Sequence, residues 1–570
     1  MIGEGDASLA ARNTRWGAML IEELSRAGVP LICACPGSRS TPLTAALAAR
    51  ADLKQRVMFD ERGAAFFALG VGRATGRPAA LITTSGTAMA NAYPAVIEAE
   101  RAGVPLLLLS TDRPAELRES GANQTIDQIK LFGDRVRWYA EILSPDSGFP
   151  TTAALTTIDE AVHRTRHPIP GPVHLNLQFR EPLGPEDIGA FPDDPRLERW
   201  THATTPWTQI GSASPAVAPM PAILTRTTRG LLVAGEGAGP AAASLAKALG
   251  WPMFADVTAH TGDSQMRLPM FDYALASSAF QRALAPEAIL HIGGAVVSKR
   301  YRRWISVHPP THHLTLRADP RRHDPDHTVT QRLVADPTAT IHRWLDDLET
   351  PAIDTTWRDA LLDATHAACG HANRVIQEAG ALTEPLIAQT IAAADAPIFL
   401  GNSMPIRDAD LFGAPIRRSA MNRGASGIDG LVATAAGWAT GMNEHTIALL
   451  GDLSTLHDLS SMAILAQQSV PLTVVVVNNG GGGIFSFLPV STFDAGFETH
   501  FATAHDFDFA DIARAFRLPY VNARVRTELE EGLRADGRTT LIEVQTNRTA
   551  NAALHRQILR ETIAILETRL

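Results

Sequence analysis

Residues 451–481, GDLSTLHDLSSMAILAQQSVPLTVVVVNNGG, contain the pattern that decides the fold of this chain. The short run TIALL (446–450) precedes them, a helical pattern follows Asp452, and a second apolar run ends just before Asn479. Short apolar runs joined by a helix are typical of neighbouring parallel strands that are covered on both faces. The stretch therefore predicts an α/β domain built on a parallel sheet.

Polar side chains follow both predicted strands. Asn479 lies 27 residues after Asp452, and the carboxyl ends of neighbouring parallel strands lie side by side. A carboxylate oxygen, an amide oxygen and a main-chain carbonyl from the glycine run, together with phosphate oxygens and water, suit an octahedral Mg²⁺ shell. The alternative is that Asp452 only caps a helix and Asn479 only occupies a turn. The complete strand-Gly-Asp-helix-strand-Asn-Asn unit favours the metal site.

The same alternation of strands and helices appears from residue 28 onward and in the middle of the chain, which predicts three α/β domains with parallel central sheets flanked by helices. Residues 79–112 and 446–479 share a strand, a polar turn, a helix and a Val-Pro-Leu strand, so the outer domains are predicted to be related. The predicted boundaries are 1–195 for the first domain, 196–222 for a linker, 223–350 for the middle domain, 351–380 for a connecting helix and 381–570 for the last domain.

Composition excludes several classes of protein. The 570 residues carry a net charge of -9 at pH 7 and include three cysteines. An acidic chain has no overall attraction to nucleic acid or to an anionic membrane surface. No apolar run is long enough to cross a membrane, and the cysteines have neither a disulfide nor a zinc spacing. We expect a soluble cytoplasmic enzyme that binds neither nucleic acid nor membrane.

Seven segments then resemble one family of thiamine diphosphate enzymes, the 2-succinyl-5-enolpyruvyl-6-hydroxy-3-cyclohexene-1-carboxylate (SEPHCHC) synthases of menaquinone biosynthesis. The wider superfamily has Gly-Asp-Gly where this chain has GDL, the form found in that family. The resemblance implies the thiamine diphosphate-binding fold, with related pyrimidine and diphosphate domains and a middle α/β domain. The segments are PGSRSTPL, DERGAAFFALG, TTSGTAMANAYPAVIEA, STDRPAELRESGANQTIDQ, GNSMPIR, NRGASGIDG and GDLSTLHDL with VVVVNNGGGGIF.

The resemblance also assigns the cofactor residues. Glu61 matches the glutamate that accepts a hydrogen bond from the aminopyrimidine ring and favours loss of the thiazolium proton. Ile428 matches the apolar residue that supports the bent cofactor, so both are predicted to be catalytic. Without the resemblance, Glu61 would be interpreted as an acidic residue that favours the start of a helix. The remaining cofactor residues are Gly451, Asp452 and Asn479, and the implied Mg²⁺, or Mn²⁺ in its place, is assigned to Asp452, Asn479 and Gly481.

The family joins 2-oxoglutarate, after loss of carbon dioxide, to isochorismate. Both substrates are dicarboxylates, and planar bidentate donors favour arginine for holding them. Most of the many arginines in the chain are expected to be solvated, so their place in family motifs selects the candidates. The predicted substrate residues are Ser38, Arg39, Arg113, Gln124, Lys299, Arg300, Ser403, Arg407 and Arg423.

In the family, Glu61 comes from one subunit and the metal residues come from its neighbour, so the resemblance implies a homo-oligomer with active sites at the subunit interface. Two alternatives stay open at this point. One is another thiamine diphosphate-dependent 2-oxo acid decarboxylase or carboligase, such as a relative of acetohydroxyacid synthase. The other is a protein that binds the cofactor and has lost catalysis.

Overall fold

The computed structural model describes residues 8–186, 197–211, 216–349, 351, 353–413, 415–493, 495–534 and 536–570. Within these ranges the chain forms three α/β domains, and every strand pair in their sheets is parallel. The predicted fold class is confirmed. In the described part of the chain, no helix combines the length and the apolar character needed to cross a bilayer.

The first domain has a six-stranded sheet in the order β2-β1-β3-β4-β6-β5. Its strands are β1 (Ile32–Ala34), β2 (Gln55–Val57), β3 (Ala79–Thr83), β4 (Leu106–Asp112), β5 (Trp138–Ile142) and β6 (Pro172–Gln178). Its helices are α1 (Leu9–Arg26), α2 (Thr41–Ala48), α3 (Glu61–Thr75), α4 (Thr87–Ala90), α5 (Tyr93–Ala102) and α6 (Thr151–Arg164).

The middle domain has a five-stranded sheet, and two short helices precede it. The helices before the sheet are α7 (Glu198–His202) and α8 (Ile223–Arg226). The strands, in the order β11-β10-β9-β7-β8, are β7 (Gly230–Ala234), β8 (Met253–Ala255), β9 (Ala288–Ile292), β10 (His312–Arg317) and β11 (Gln331–Val334). The helices around them are α9 (Gly239–Leu249), α10 (Phe271–Ala274), α11 (Ser278–Leu284), α12 (Lys299–Val307) and α13 (Pro337–Asp347).

The last domain repeats the strand order of the first, β13-β12-β14-β15-β17-β16, as expected for related domains. Its strands are β12 (Ile398–Leu400), β13 (Ser419–Ala420), β14 (Thr446–Gly451), β15 (Leu472–Asn478), β16 (Tyr520–Asn522) and β17 (Thr540–Gln545). The long helix α14 (Thr355–Glu378) leads into α15 (Glu384–Ala392), α16 (Met404–Phe412), α17 (Leu431–Met442), α18 (Asp452–His457), α19 (Met462–Ala466), α20 (Phe509–Ala515), α21 (Arg526–Gly532) and α22 (Arg548–Arg569).

The central strands β14 and β15 bring the two polar strand ends together. Both are almost entirely buried, which suits their β-branched and aliphatic side chains. They pair in parallel, with Gly451 opposite Val477. Asp452 and Asn479 therefore leave the sheet at the same edge, as the sequence predicts.

Helices α3 and α17 join the first and last domains through a glycine contact. A Cβ atom on Gly70 would lie 2.2 Å from the Thr434 carbonyl oxygen, and one on Gly437 would lie 2.0 Å from that of Phe67. The two backbones therefore touch directly, and residues of both domains share one hydrophobic core. This contact fixes the orientation of the first domain against the last.

The predicted domain boundaries remain predictions, and several of them fall beside residues that the structure does not describe: 1–7, 187–196, 212–215, 350 and 352. The described part of the predicted linker, 197–211, is attached to the first domain. Trp200 Nε1 and the Trp207 backbone N–H each donate to the Glu23 carboxylate, both at 2.5 Å. The early part of the linker is therefore not a free tether.

We expect Gly437→Ala to destabilise the protein, because its methyl group would push α3 and α17 apart. Overpacking of this kind costs about 1–3 kcal/mol, so the first unfolding transition in urea should move to a lower concentration. Gly370→Ala on α14 is the matched control, since its Cβ meets no atom within 4 Å. There the higher helix propensity of alanine should leave stability unchanged or raise it by roughly 0.5–1 kcal/mol. Equal effects of the two substitutions would contradict the glycine contact.

Candidate active site

Asp452 is the centre of the polar site at the edge of the last sheet. It is the first residue of α18 and is 2 % exposed. Its Oδ2 accepts the backbone N–H groups of Asn479 at 3.1 Å and Gly481 at 2.9 Å, and Oδ1 accepts that of Leu453 at 2.6 Å. Burial raises the pKa of Asp452, and these donors oppose that shift. The carboxylate thereby ties the start of α18 to the end of β15.

Asn479 supplies a second oxygen beside this carboxylate. Its Nδ2 donates to Glu384 Oε1 at 3.0 Å, which fixes the orientation of the amide. Its Oδ1 is buried and has no hydrogen-bond partner in the described ranges. A buried polar atom without a partner is costly, and a carboxylate with an adjacent amide oxygen is a donor set that suits Mg²⁺. The residues present therefore fit a divalent cation.

The glycine run after Asn479 folds in a way that side chains would prevent. Gly480 has φ 69° and Gly481 has φ 144°. A Cβ on Gly481 would lie 2.5 Å from the Ala502 carbonyl oxygen, and one on Gly483 would lie 2.7 Å from Asn479 Nδ2. The run therefore needs glycine to pass close to Asn479 and to the Ala502 carbonyl.

A cavity of about 300 Å³ opens beside these residues. It brings together eight of the predicted site residues: Ser403, Arg407, Arg423, Ile428, Gly451, Asp452, Asn479 and Gly481. Ile428 is 36 % exposed although it is aliphatic, so an apolar side chain is available to a ligand in the cavity. The cavity thus combines a polar metal end, an apolar contact and cations.

The cations of the cavity form a like-charge pair. Burial lowers the pKa of Arg407, and the nearby charge of Arg423 lowers it further. Burial also lowers the pKa of Arg423, which donates to Asn402 Oδ1 at 3.3 Å. Arginine remains charged at neutral pH, so two desolvated positive charges face the cavity. Such a pair is suited to an anionic ligand.

A second like-charge pair lies in the first domain, at the carboxyl ends of its strands. Arg39 donates to the Phe179 carbonyl at 2.7 Å and to Glu181 at 2.6 Å. Arg113 donates to the Gln124 carbonyl at 2.8 Å, and Gln124 Nε2 donates to the Ser85 carbonyl at 3.1 Å. Burial, and then the charge of Arg39, lower the pKa of Arg113.

Within one chain, this first-domain group is separate from the cavity. Arg39, Arg113, Gln124 and the exposed Ser38 do not belong to the described lining of the cavity. The structure thus divides the predicted substrate residues into two groups.

Glu61 also lies away from the cavity of its own chain. It is the first residue of α3, and its Oε2 accepts a hydrogen bond from Asn91 at 3.3 Å. The next residue, Arg62, donates to the His457 carbonyl at 3.0 Å, at the C-terminal end of α18. The cavity is at the other end of that helix, and six helical residues span roughly 9 Å. Glu61 is accordingly absent from the described lining of the cavity.

The two predicted cations of the middle domain begin α12. Lys299 is exposed, whereas Arg300 forms an ion pair with Asp272. The charge of Asp272 also acts on Arg407 and raises its pKa. Neither Lys299 nor Arg300 belongs to the described lining of the cavity in the last domain.

The sequence analysis missed several polar residues around the metal end: Glu384, Asn402, Asp408, His505 and Arg548. Glu384 accepts from Asn479 and, at 3.0 Å, from Thr546. Burial, and then the charge of Asp408, raise the pKa of Glu384 to about 7. Arg548 Nε donates to the Asn479 carbonyl at 3.0 Å. A glutamate in a first helical turn is an ordinary helix signal, so only tertiary contacts identify Glu384.

Three family models match the chain in order. Residues 14–131 match the thiamine pyrophosphate enzyme, N-terminal TPP binding domain. Residues 194–398 match the middle domain of thiamine pyrophosphate enzymes, and residues 411–544 match their C-terminal TPP binding domain. The first match contains β1 to β4, the second contains β7 to β11, and the third contains β13 to β16 and nearly all of β17.

Similar proteins extend over nearly the whole chain. A SEPHCHC synthase of Rubrobacter xylanophilus is 43% identical, over 96% of this chain and 98% of the relative. One of Salinibacter ruber is 42% identical, over 95% of each chain. One of Chlorobaculum parvum is 39% identical, over 97% of this chain and 98% of the relative.

Proposed function

The chain belongs to the family of 2-succinyl-5-enolpyruvyl-6-hydroxy-3-cyclohexene-1-carboxylate synthases, and we propose that it joins a succinyl unit from 2-oxoglutarate to isochorismate with release of carbon dioxide. The protein is a thiamine diphosphate enzyme, and the reaction belongs to menaquinone biosynthesis. The observation that carries the proposal is the presence of two arginine pairs, the buried Arg39 with Arg113 and the half-buried Arg407 with Arg423. Two dicarboxylate substrates require such fixed cations.

We propose that Mg²⁺, or Mn²⁺ in its place, binds the Asp452 carboxylate, the Asn479 Oδ1 and the Gly481 carbonyl. The buried, unpaired Asn479 Oδ1 supports this assignment. Hard oxygen donors and diphosphate oxygens would complete an octahedral shell. Gly451 lies beside Asp452 in the cavity, so the diphosphate group would lie at this end.

When bound, thiamine diphosphate supplies a nucleophilic carbon and takes up the electron pair that carbon dioxide leaves behind. In this proposal Glu61 would accept a hydrogen bond from the aminopyrimidine ring and would thereby favour proton transfer at the cofactor. Ile428 would supply the apolar contact between the cavity and the cofactor. The arginines hold the substrate carboxylates, and Ser38, Gln124, Lys299 and Ser403 complete the polar contacts.

We propose a homodimer, or a pair of dimers, in which the first domain of one subunit faces the cavity of its neighbour. Supporting this, Glu61 and the Arg39–Arg113 pair are separated from the Asp452 cavity of their own chain. The surface beside Glu61 is also apolar, because Val57 is 64 % exposed and Phe59 is 67 % exposed. Exposed aromatic and aliphatic side chains of this kind mark association surfaces.

The free thiols of the chain fit the proposed cytoplasmic location.

We expect Glu61→Gln to fold and to bind thiamine diphosphate but to lose activity by roughly 10²–10⁴-fold, because an amide is a poor substitute for a carboxylate in proton transfer. Steady-state turnover of 2-oxoglutarate with isochorismate measures the loss. Glu160→Gln, on the solvent side of α6, is the matched control and should be unaffected. Near-normal turnover by Glu61→Gln would exclude the assigned role.

Asp452→Asn should weaken Mg²⁺-dependent binding of thiamine diphosphate at least tenfold, a difference of about 1.4 kcal/mol. The amide keeps an oxygen for the N–H groups of Asn479 and Gly481 but loses the charge that attracts a cation. Calorimetric titration of the cofactor in Mg²⁺ measures the change. The exposed Asp506→Asn should titrate like the wild type, and equal affinity in both variants would argue against the metal site.

The overall reaction is tested by mass spectrometry of products formed with thiamine diphosphate, Mg²⁺ and 2-oxoglutarate, with and without isochorismate. We expect an adduct of isochorismate and the four-carbon succinyl unit only in the complete mixture. Equal consumption of 2-oxoglutarate without isochorismate would instead identify a decarboxylase on the same fold. Cofactor binding without turnover of any 2-oxo acid would indicate a protein that has lost catalysis.

A further inference from the structure

Arg300 is held from two sides by the short helix α10. Asp272 forms an ion pair with its guanidinium and also accepts a hydrogen bond from Ser298 at 2.5 Å. The ring of Tyr273 lies beneath the guanidinium, 5.3 Å from Arg300 Cζ to the ring centroid. An arginine over an aromatic face is attracted by the ring quadrupole. The position of Tyr273 therefore determines where Arg300 can lie.

Tyr273 is in turn anchored to the last domain. Its side chain is 6 % exposed and belongs to a hydrophobic cluster that consists mainly of last-domain residues. Its hydroxyl lies 2.8 Å from Nδ1 of His555, on α22. Burial raises the pKa of Tyr273 far above its ordinary range, so the phenol keeps its proton and the hydroxyl pairs with the imidazole. This hydrogen bond crosses from the middle domain to the last.

His555 continues the connection to the cavity. Its Nε2 lies 3.2 Å from Asp408 Oδ1, and both residues are almost fully buried. Neither atom has a well-aligned hydrogen bond in the part of the chain described, so the two side chains are close neighbours without a hydrogen bond between them. Asp408 is on α16, the helix that carries Arg407, and it lines the cavity.

Two phenylalanines hold the imidazole ring in place. Phe412, also on α16, meets it edge-on with centroids 5.1 Å apart, and Phe487 does so at 4.9 Å. Phe487 ends the helical turn that starts at Gly483, which lines the cavity. His555 therefore contacts α10, α16 and the segment after the glycine run at once.

We propose that Tyr273 and His555 are positioning residues that connect Arg300 of the middle domain to α16, the helix of the last domain whose Asp408 lines the cavity. The inference rests on the proposed function, in which Arg300 binds a substrate carboxylate. Tyr273 and His555 act through Arg300 and touch no substrate themselves. They should therefore affect the affinity for a dicarboxylate and leave the affinity for thiamine diphosphate unchanged.

The test compares Tyr273→Phe with Tyr301→Phe in the enzyme loaded with thiamine diphosphate and Mg²⁺. Both changes remove one hydroxyl from a buried tyrosine, but the Tyr301 hydroxyl has no hydrogen-bond partner in the described ranges. The probe is glutarate, a dicarboxylate of the same length as 2-oxoglutarate that has no keto group to react. We expect Tyr273→Phe to raise the glutarate Kd about threefold to tenfold, as for the loss of one ordinary hydrogen bond, and Tyr301→Phe to change it less than twofold.

The same substitution in an Arg300→Ala background separates positioning from general damage. If Tyr273 acts through Arg300, its loss there should change the glutarate Kd less than twofold. An equal factor in both backgrounds, or a matching loss of thiamine diphosphate affinity, would overturn the proposal.

A second measurement does not depend on the substrate. Amide hydrogen exchange in residues 299–307 should be faster in Tyr273→Phe than in Tyr301→Phe, because the anchored ring holds Arg300 at the start of α12. Unchanged exchange there would overturn the positioning role whatever the enzyme binds. If the wild-type protein binds no glutarate and turns over no 2-oxoglutarate, the proposed substrate is wrong, and the exchange result alone decides the positioning role.

Discussion

The site depends on one buried carboxylate at the edge of a parallel sheet. Asp452 accepts the backbone N–H groups of Asn479 and Gly481, which lie just beyond the strand that pairs with its own. A buried charge is tolerated only when it is hydrogen-bonded, so these donors are needed for stability as well as for geometry. Because they use only part of the coordination capacity of the carboxylate, Asp452 can stabilise the glycine run and still offer lone pairs to a cation.

A second constraint is the close contact between α3 and α17. Glycines allow the two backbones to touch, and this fixes which end of α18 lies beside Glu61. Within one chain, Glu61 is not part of the described lining of the cavity that contains Asp452. The first and last sheets have the same strand order, as expected for related domains.

Sequence reasoning predicts the parts of the molecule that local pattern determines. The three parallel sheets, the approach of Asp452 to Asn479 and the relation of the outer domains all follow from strand-helix alternation and from turn residues at strand ends. Glu384, His555 and Tyr273 could not be predicted in this way. Glu384 has partners 95 and 162 residues away along the chain, and Tyr273 and His555 lie 282 residues apart. Each of the three looks like a helix or core residue on its own. The contact between Trp200 and Glu23 could not be predicted from the sequence for the same reason, because a segment rich in Ser, Thr and Pro resembles a free linker.

The arginines show how such a site can select dicarboxylates. Arg39 with Arg113 and Arg407 with Arg423 are pairs of like charges in partly desolvated surroundings. The guanidinium groups cannot lose their protons near neutral pH, and Arg39 is already paired with Glu181. A ligand carboxylate beside either pair would gain a favourable charge interaction that a neutral ligand lacks. Lysine in a desolvated position can lose its proton, whereas arginine keeps its charge, and Lys299 is exposed at the start of α12.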